Sequence, residues 1–289
     1  MALPAFDYVK VNSLEEASKL AAEKGDKAVL MAGGTDVILL IHGKAIPADT
    51  VIDIKGIPGL EEIKYVEGEG MYIGALCKLY DIQNSEIVKE KMPALADAAR
   101  YVASPQIRRK GTMVGNICNA SPSADTASIL VAMNAVVKVY SAAGEKDIPI
   151  DDFFKGVKKT ALQPGDVVTG IFVPDLKSGE GSAYFKHSVR KAMDLAIIGV
   201  GAKISMDGSK IADARVCMGG VGITPLRAKN AEQILIGKEI TDELLEEAGV
   251  AASQECSPIS DVRASAEYRT DMIRVYTKRA VKKAVETLR

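Results

Sequence analysis

A short apolar strand that runs straight into two glycines and out into a helix constrains this chain more than any other feature. Residues 28–31 (Ala-Val-Leu-Met) read as the strand, Gly33-Gly34-Thr35-Asp36 as the turn, and residues 37–41 as a helical turn or two. Upstream, Ser13-Leu14-Glu15-Glu16 has the form of a capping box, apolar residues follow at helical spacing, and Gly25 stands where the helix should stop. The order is therefore helix, strand, glycine turn, helix. Paired glycines let a backbone approach a ligand closely, and successive amides ahead of a helix suit a pyrophosphate. Thr35 adds a hydroxyl. The same residues also serve as a tight turn without a ligand. Neither the GxGxxG fingerprint nor the GxxxxGK[ST] loop occurs in the chain.

A second segment runs from Gly111 to Asp125 through Thr112, Gly115, Asn116, Asn119 and Ser123. Read as a long loop of small and polar residues, it leaves many backbone groups without partners unless something organises them. A cofactor rich in oxygen atoms would do so. Asp125 either caps the apolar helix that follows or accepts hydrogen bonds from a ligand. Just ahead, Arg108-Arg109-Lys110 reads as a solvated cluster, or as a contact for an acidic partner or a nucleotide phosphate.

Around these segments the pattern predicts strands at 49–54, 62–67, 71–74 and 135–140, helical pieces over 79–101 and a buried helix over 124–133. After a polar stretch at 175–181 come strands at 183–189, 196–206 and 210–217, with Asp207-Gly208 marking a hairpin. Helices follow at 225–235 and 241–252, and from about 264 a terminal helix with Tyr268, Met272, Val275, Tyr276 and Val281 as its apolar stripe. The change of character after Pro174 places a domain boundary near 177.

Composition removes several classes of function. Among 289 residues, 37 Lys and Arg balance 38 Asp and Glu, so no basic field serves a nucleic acid. No apolar run approaches the roughly 20 residues of a membrane span, and the N-terminus lacks a signal-peptide pattern, so a cytoplasmic protein is expected. Two histidines and four scattered cysteines offer no zinc or iron–sulfur ligand pattern, so no metal is expected on this chain.

Ala32-Gly33-Gly34-Thr35-Asp36, followed about 80 residues later by Thr112 to Asn116 and Ser121-Pro122-Ser123-Ala124-Asp125, resembles the FAD-binding medium subunits of the molybdenum hydroxylases. That family includes the xanthine dehydrogenase and carbon monoxide dehydrogenase medium subunits. The strand leading to Pro174 and the run Ala183-Tyr184-Phe185-Lys186 are similar to family segments as well.

The resemblance implies an α+β fold: a two-lobed FAD domain of the vanillyl-alcohol oxidase type over 1–177, with lobes of about 1–55 and 56–177, followed by a small C-terminal α+β domain, 178–289. It implies that Leu30 and Met31 lead into a turn, Ala32, Gly33, Gly34, Thr35, Asp36 and Val37, that holds the FAD pyrophosphate. Thr112, Gly115, Asn116, Asn119 and Ser123 are then expected to contact the cofactor from the other lobe, and Asp125 to hydrogen-bond it. Val168 and Lys186 match positions near the flavin, where a lysine would stabilise an anionic reduced ring. Val114 stands where many relatives have glycine, which predicts local strain if that position needs a positive φ.

By the same resemblance, a small partner with two [2Fe-2S] clusters and a large molybdopterin partner complete the enzyme. This chain would pass electrons to NAD+ or another acceptor, with no catalytic side chain of its own. A stand-alone FAD-dependent oxidoreductase of the same fold is the alternative. A flavin-free assembly module of that fold is a third reading.

Overall fold

The computed structural model describes residues 3–190 and 192–289. The first layer holds β1 (Asp7–Lys10), α1 (Leu14–Lys24), β2 (Ala28–Met31), α2 (Val37–His42) and β3 (Thr50–Asp53). Its sheet is parallel, in the order β1-β3-β2. Ser13 caps α1 by accepting from the Glu16 amide at 3.1 Å, and Glu16 reaches back to the Asn12 amide, one residue beyond the reciprocal box. Gly25 ends the helix at φ 56°.

The second lobe holds β4 (Ile63–Val66) and β5 (Gly70–Gly74), then the short helices α3 (Leu79–Asn84), α4 (Glu86–Lys91), α5 (Pro93–Tyr101), α6 (Pro105–Arg108) and α7 (Met113–Cys118). It continues through α8 (Asp125–Ala132), β6 (Val136–Ser141), β7 (Gly144–Pro149), α9 (Ile150–Phe153), β8 (Phe154–Gly156), β9 (Lys159–Thr160) and β10 (Val167–Pro174). Two hairpins, β4-β5 and β6-β7, flank β10 in an antiparallel five-stranded sheet. One continuous apolar core joins both lobes, from Val11 and Ile52 to Phe153 and Ile171.

A second core is built by residues 183–285. There β11 (Glu180–His187), β12 (Ile198–Asp207), β13 (Lys210–Gly219) and β14 (Leu226–Arg227) form an antiparallel sheet, joined by α10 (Lys229–Leu235), α11 (Asp242–Glu255) and α12 (Ala266–Glu286). The sheet lies against α8 so closely that a Cβ on Gly201 would fall 2.7 Å from Ile129 Cα.

Four expectations change. The run from 112 to 123 is not one open loop: Thr112 caps α7 by accepting from the Gly115 amide at 2.9 Å, and intrahelical bonds satisfy much of its backbone. Val114 sits inside that helix, buried, and is absent from the positive-φ residues, so the feared strain does not arise. Arg108 is buried, donating to the carbonyls of Val102 (2.8 Å) and Ala103 (3.3 Å), while exposed Arg109 stacks on Tyr80. On α12 the buried face is Arg269, Ile273, Thr277, Ala280, Val281 and Ala284, offset from the expected stripe, and Tyr268 is exposed. Tyrosines and methionine weighted that stripe, but small residues fit the close contact with the sheet. A Cβ on Gly181 would lie 2.1 Å from the Ala284 carbonyl.

Candidate cofactor site

Two adjacent glycines position the first wall of the site for different reasons. A Cβ on Gly33 would lie 1.9 Å from the Lys110 carbonyl oxygen, so this residue is a glycine because the other lobe's backbone crosses it. Gly34 has φ +71°, a conformation L side chains rarely adopt. The turn therefore does two jobs: it docks onto residues 110–111 and it reverses the chain into α2. The amides of Thr35, Asp36 and Val37 have no hydrogen-bond acceptor among the described residues. They are available to an anionic oxygen.

The opposite wall is α7 and the segment leading into α8. Between the walls lies a cavity of about 840 Å³, edged by Met193, Asp194 and Leu195 from the C-terminal part of the chain. Of the residues expected from sequence, it brings together Leu30, Ala32, Gly33, Gly34, Thr35, Asp36, Val37, Thr112, Gly115, Asn116, Asn119, Ser123 and Asp125. Several of these polar groups are held by neighbours. Asn116 accepts from Thr126 at 2.6 Å, and Asn119 donates to Asp36 at 2.9 Å while accepting from Lys158 at 2.7 Å. Cys118 also faces the cavity, and burial pushes its thiol up to about 12, so it stays neutral.

Three expected residues do not line the cavity. Met31 packs its thioether beside Gly34. Val168 pairs with Val139 in the middle of the five-stranded sheet and belongs to the core, where both it and its neighbour Val167 are buried. Lys186 is buried and gives its three hydrogens to the Asp125 carboxylate (2.9 Å) and the carbonyls of Tyr101 (3.0 Å) and Asp194 (2.8 Å). Its ammonium is thus spent on protein acceptors rather than offered to a ring. Tyr184 donates to the other Asp125 oxygen at 2.9 Å. Burial raises the Asp125 carboxyl above its ordinary value, against the pull of Lys186 and Tyr184. Asp125 opens α8 without capping it through its side chain.

Lys158 and residues 193–195 line the cavity without having been singled out in the sequence. Lys158 sits in the tight turn between β8 and β9, where two adjacent lysines look like an ordinary solvated tip. Residues 193–195 come from a connection whose path is set by the second core.

The cavity's size falls within the ~300–1,000 Å³ of small-molecule sites. Its unpaired amides, apolar walls and polar edge fit a dinucleotide such as FAD. When bound, FAD supplies one- and two-electron redox chemistry. The unpaired amides of the 35–37 turn would be placed to hold its phosphates, and the two lobes and the charge around Asp125 would orient it.

Known proteins resemble the chain along its whole length. Residues 4–176 match the FAD-binding domain in molybdopterin dehydrogenases, and residues 183–284 match the CO dehydrogenase flavoprotein C-terminal domain. The glyceraldehyde dehydrogenase medium chain of Sulfolobus acidocaldarius is 37% identical over 281 residues, covering 96% of this chain and 98% of that one. The xanthine dehydrogenase FAD-binding subunit of Escherichia coli is 32% identical over 279 residues, covering 96% and 95%. A solved carbon monoxide dehydrogenase chain from Hydrogenophaga pseudoflava superposes with a TM-score of 0.95 at 33% identity, over 100% of both chains. These similarities, with a cavity walled by both glycine-bearing segments, place the chain in the family of FAD-binding medium subunits of the molybdenum hydroxylases.

Proposed function

We propose that this chain is the electron-transfer flavoprotein subunit of a multi-subunit molybdenum hydroxylase. In this reading it takes electrons one at a time from [2Fe-2S] clusters on a small partner. A large partner carrying the molybdenum–pterin cofactor oxidises the substrate. The chain then hands the electrons to an external acceptor. The observation that carries the proposal is the cavity itself, walled by the 33–37 turn and the 112–125 segment and lined by amides that lack acceptors. NAD+, one acceptor raised from the sequence, gains no support from the comparisons, and the acceptor is left as a class. The dehydrogenase relatives act on substrates as different as glyceraldehyde, carbon monoxide and caffeine, which fits specificity residing on another subunit.

In the same proposal, residues 1–177 act as the cofactor domain and 178–289 as a second domain that closes the cavity edge through 193–195. The four cysteines, all free thiols, fit a reducing cytoplasmic setting. Among the described residues no helix is long and apolar enough to cross a membrane.

The test is the visible spectrum of the purified full chain, with the released chromophore identified by mass, and co-expression with neighbouring dehydrogenase subunits. Bound FAD and co-purification of iron- and molybdenum-bearing chains are expected. A chain that binds FAD but never associates with such partners, and oxidises a substrate unaided, supports the stand-alone oxidoreductase instead.

A further inference from the structure

Lys158 is the only basic side chain lining the cavity among the described residues, beside the carboxylates Asp36, Asp125 and Asp194. Asp125 is paired with Lys186, and Asp194 lies 3.5 Å from Arg190. Asp36 reaches a cation only through Asn119, which donates to Asp36 and accepts from Lys158. A dianion entering this cavity therefore meets acidic groups and one ammonium.

The local backbone is built to present that ammonium. Lys158 has φ +59°, a conformation that usually selects glycine or asparagine. Its amide donates to the Ala120 carbonyl at 3.0 Å, which pins the β8-β9 turn to the end of α7. The residue is exposed at the rim of the cavity, and its ammonium makes one hydrogen bond among the described residues, to the neutral amide of Asn119. Two N–H donors remain for the cavity. The protein around it lowers the ammonium from its ordinary value by desolvation, against the opposing pull of Asp36.

We propose that Lys158 is a diphosphate-recognition residue, whose ammonium holds the phosphates of the dinucleotide against the amides of residues 35–37, with Asn119 as its positioning partner. The inference rests on the reading of the cavity as the FAD site and adds to it the charge that the glycine turn lacks.

The test uses the full chain stripped of flavin and titrated separately with FAD and with riboflavin, which has no phosphate, followed by fluorescence. Lys158→Met is expected to weaken FAD binding about tenfold or more, as for loss of a charge-assisted hydrogen bond. Riboflavin affinity should stay within about twofold, and Lys158→Arg should keep FAD affinity within about threefold, since the charge survives. Raising salt from about 0.05 to 0.5 M should weaken FAD binding more in the wild type than in Lys158→Met. FAD affinity unchanged in Lys158→Met overturns the inference alone. Equal loss of FAD and riboflavin also overturns it, because the lysine then only tethers the turn. A wild-type chain that binds neither flavin overturns the cofactor reading itself.

Discussion

At Gly33 and Gly34, neighbouring residues of one type answer to different constraints, and their substitutions should separate. Gly33→Ala drives a Cβ into the Lys110 carbonyl, where only backbone movement gives relief. It should cost on the order of 1–3 kcal/mol, as overpacking does, and lose FAD because the two walls part. Gly34→Ala meets mainly the flexible Met31 thioether, at 3.1 Å, and pays chiefly for φ +71°. About 1–2 kcal/mol is expected, with FAD retained. Flavin content and urea midpoints on both variants check this. Equal flavin loss would mean that the turn acts as one rigid unit. The glycine pair was legible from sequence as a turn and a candidate phosphate site. That the first glycine faces protein backbone was not, because its neighbour lies about 77 residues along the chain.

Among the elements, α12 is anchored at its start rather than by its aromatic residues. Ser265 caps it by accepting from the Tyr268 amide at 3.1 Å. Asp261 accepts from the Arg263 amide (2.8 Å), the Arg263 side chain (2.8 Å) and buried Arg269 (2.8 Å). The bond from the Arg263 amide leads in holding that carboxyl down at about 2, against an ordinary 3.8. A carboxyl depressed on folding stabilises the fold above its unfolded value, and that contribution fades as pH falls through the folded value. Wild type should therefore exceed Asp261→Asn in stability by a steady margin above about pH 5, and the margin should shrink between pH 4 and 2. Denaturant midpoints across that range are the check; a margin independent of pH would show that the carboxylate charge is not what anchors the helix. Sequence periodicity found this helix and its length. It misjudged the buried face because close approach to the sheet selected Ala280 and Ala284 over larger side chains.

Across the whole molecule, two apolar cores meet at α8, and a buried polar cluster crosses the junction. Asp125 opens α8, while Tyr184 and Lys186 come from β11 of the second core's sheet. Breaking such a pair from one side leaves a buried charge without its partner, at a typical cost of about 3–5 kcal/mol. Asp125→Ala should lose roughly that much, and the double variant Asp125→Ala/Lys186→Met should recover a good part of it. Urea unfolding of the flavin-free chain gives the comparison. An additive double variant would show that the two groups do not act together. Arg215 adds a second tie, donating to the Val131 carbonyl and to Asp151 at 2.8 Å. The cavity depends on this junction because 193–195, at its edge, belong to the connection between β11 and β12.

Local chemistry written in consecutive residues was enough to determine the capped first helix, the strand entering the glycine turn, the Asp207-Gly208 hairpin and the two motifs that mark the family. Each depends on backbone preferences or periodicity within a few residues. Tertiary structure alone decided what those residues face. It turned the 112–123 run into a capped helix, buried Arg108 and Val168, and gave the Lys186 ammonium to Asp125 and two carbonyls. It also brought Lys158 to Asn119 and Asp36. Those outcomes are set by contacts between segments far apart in the chain, where packing and the pairing of buried polar groups outweigh local preference.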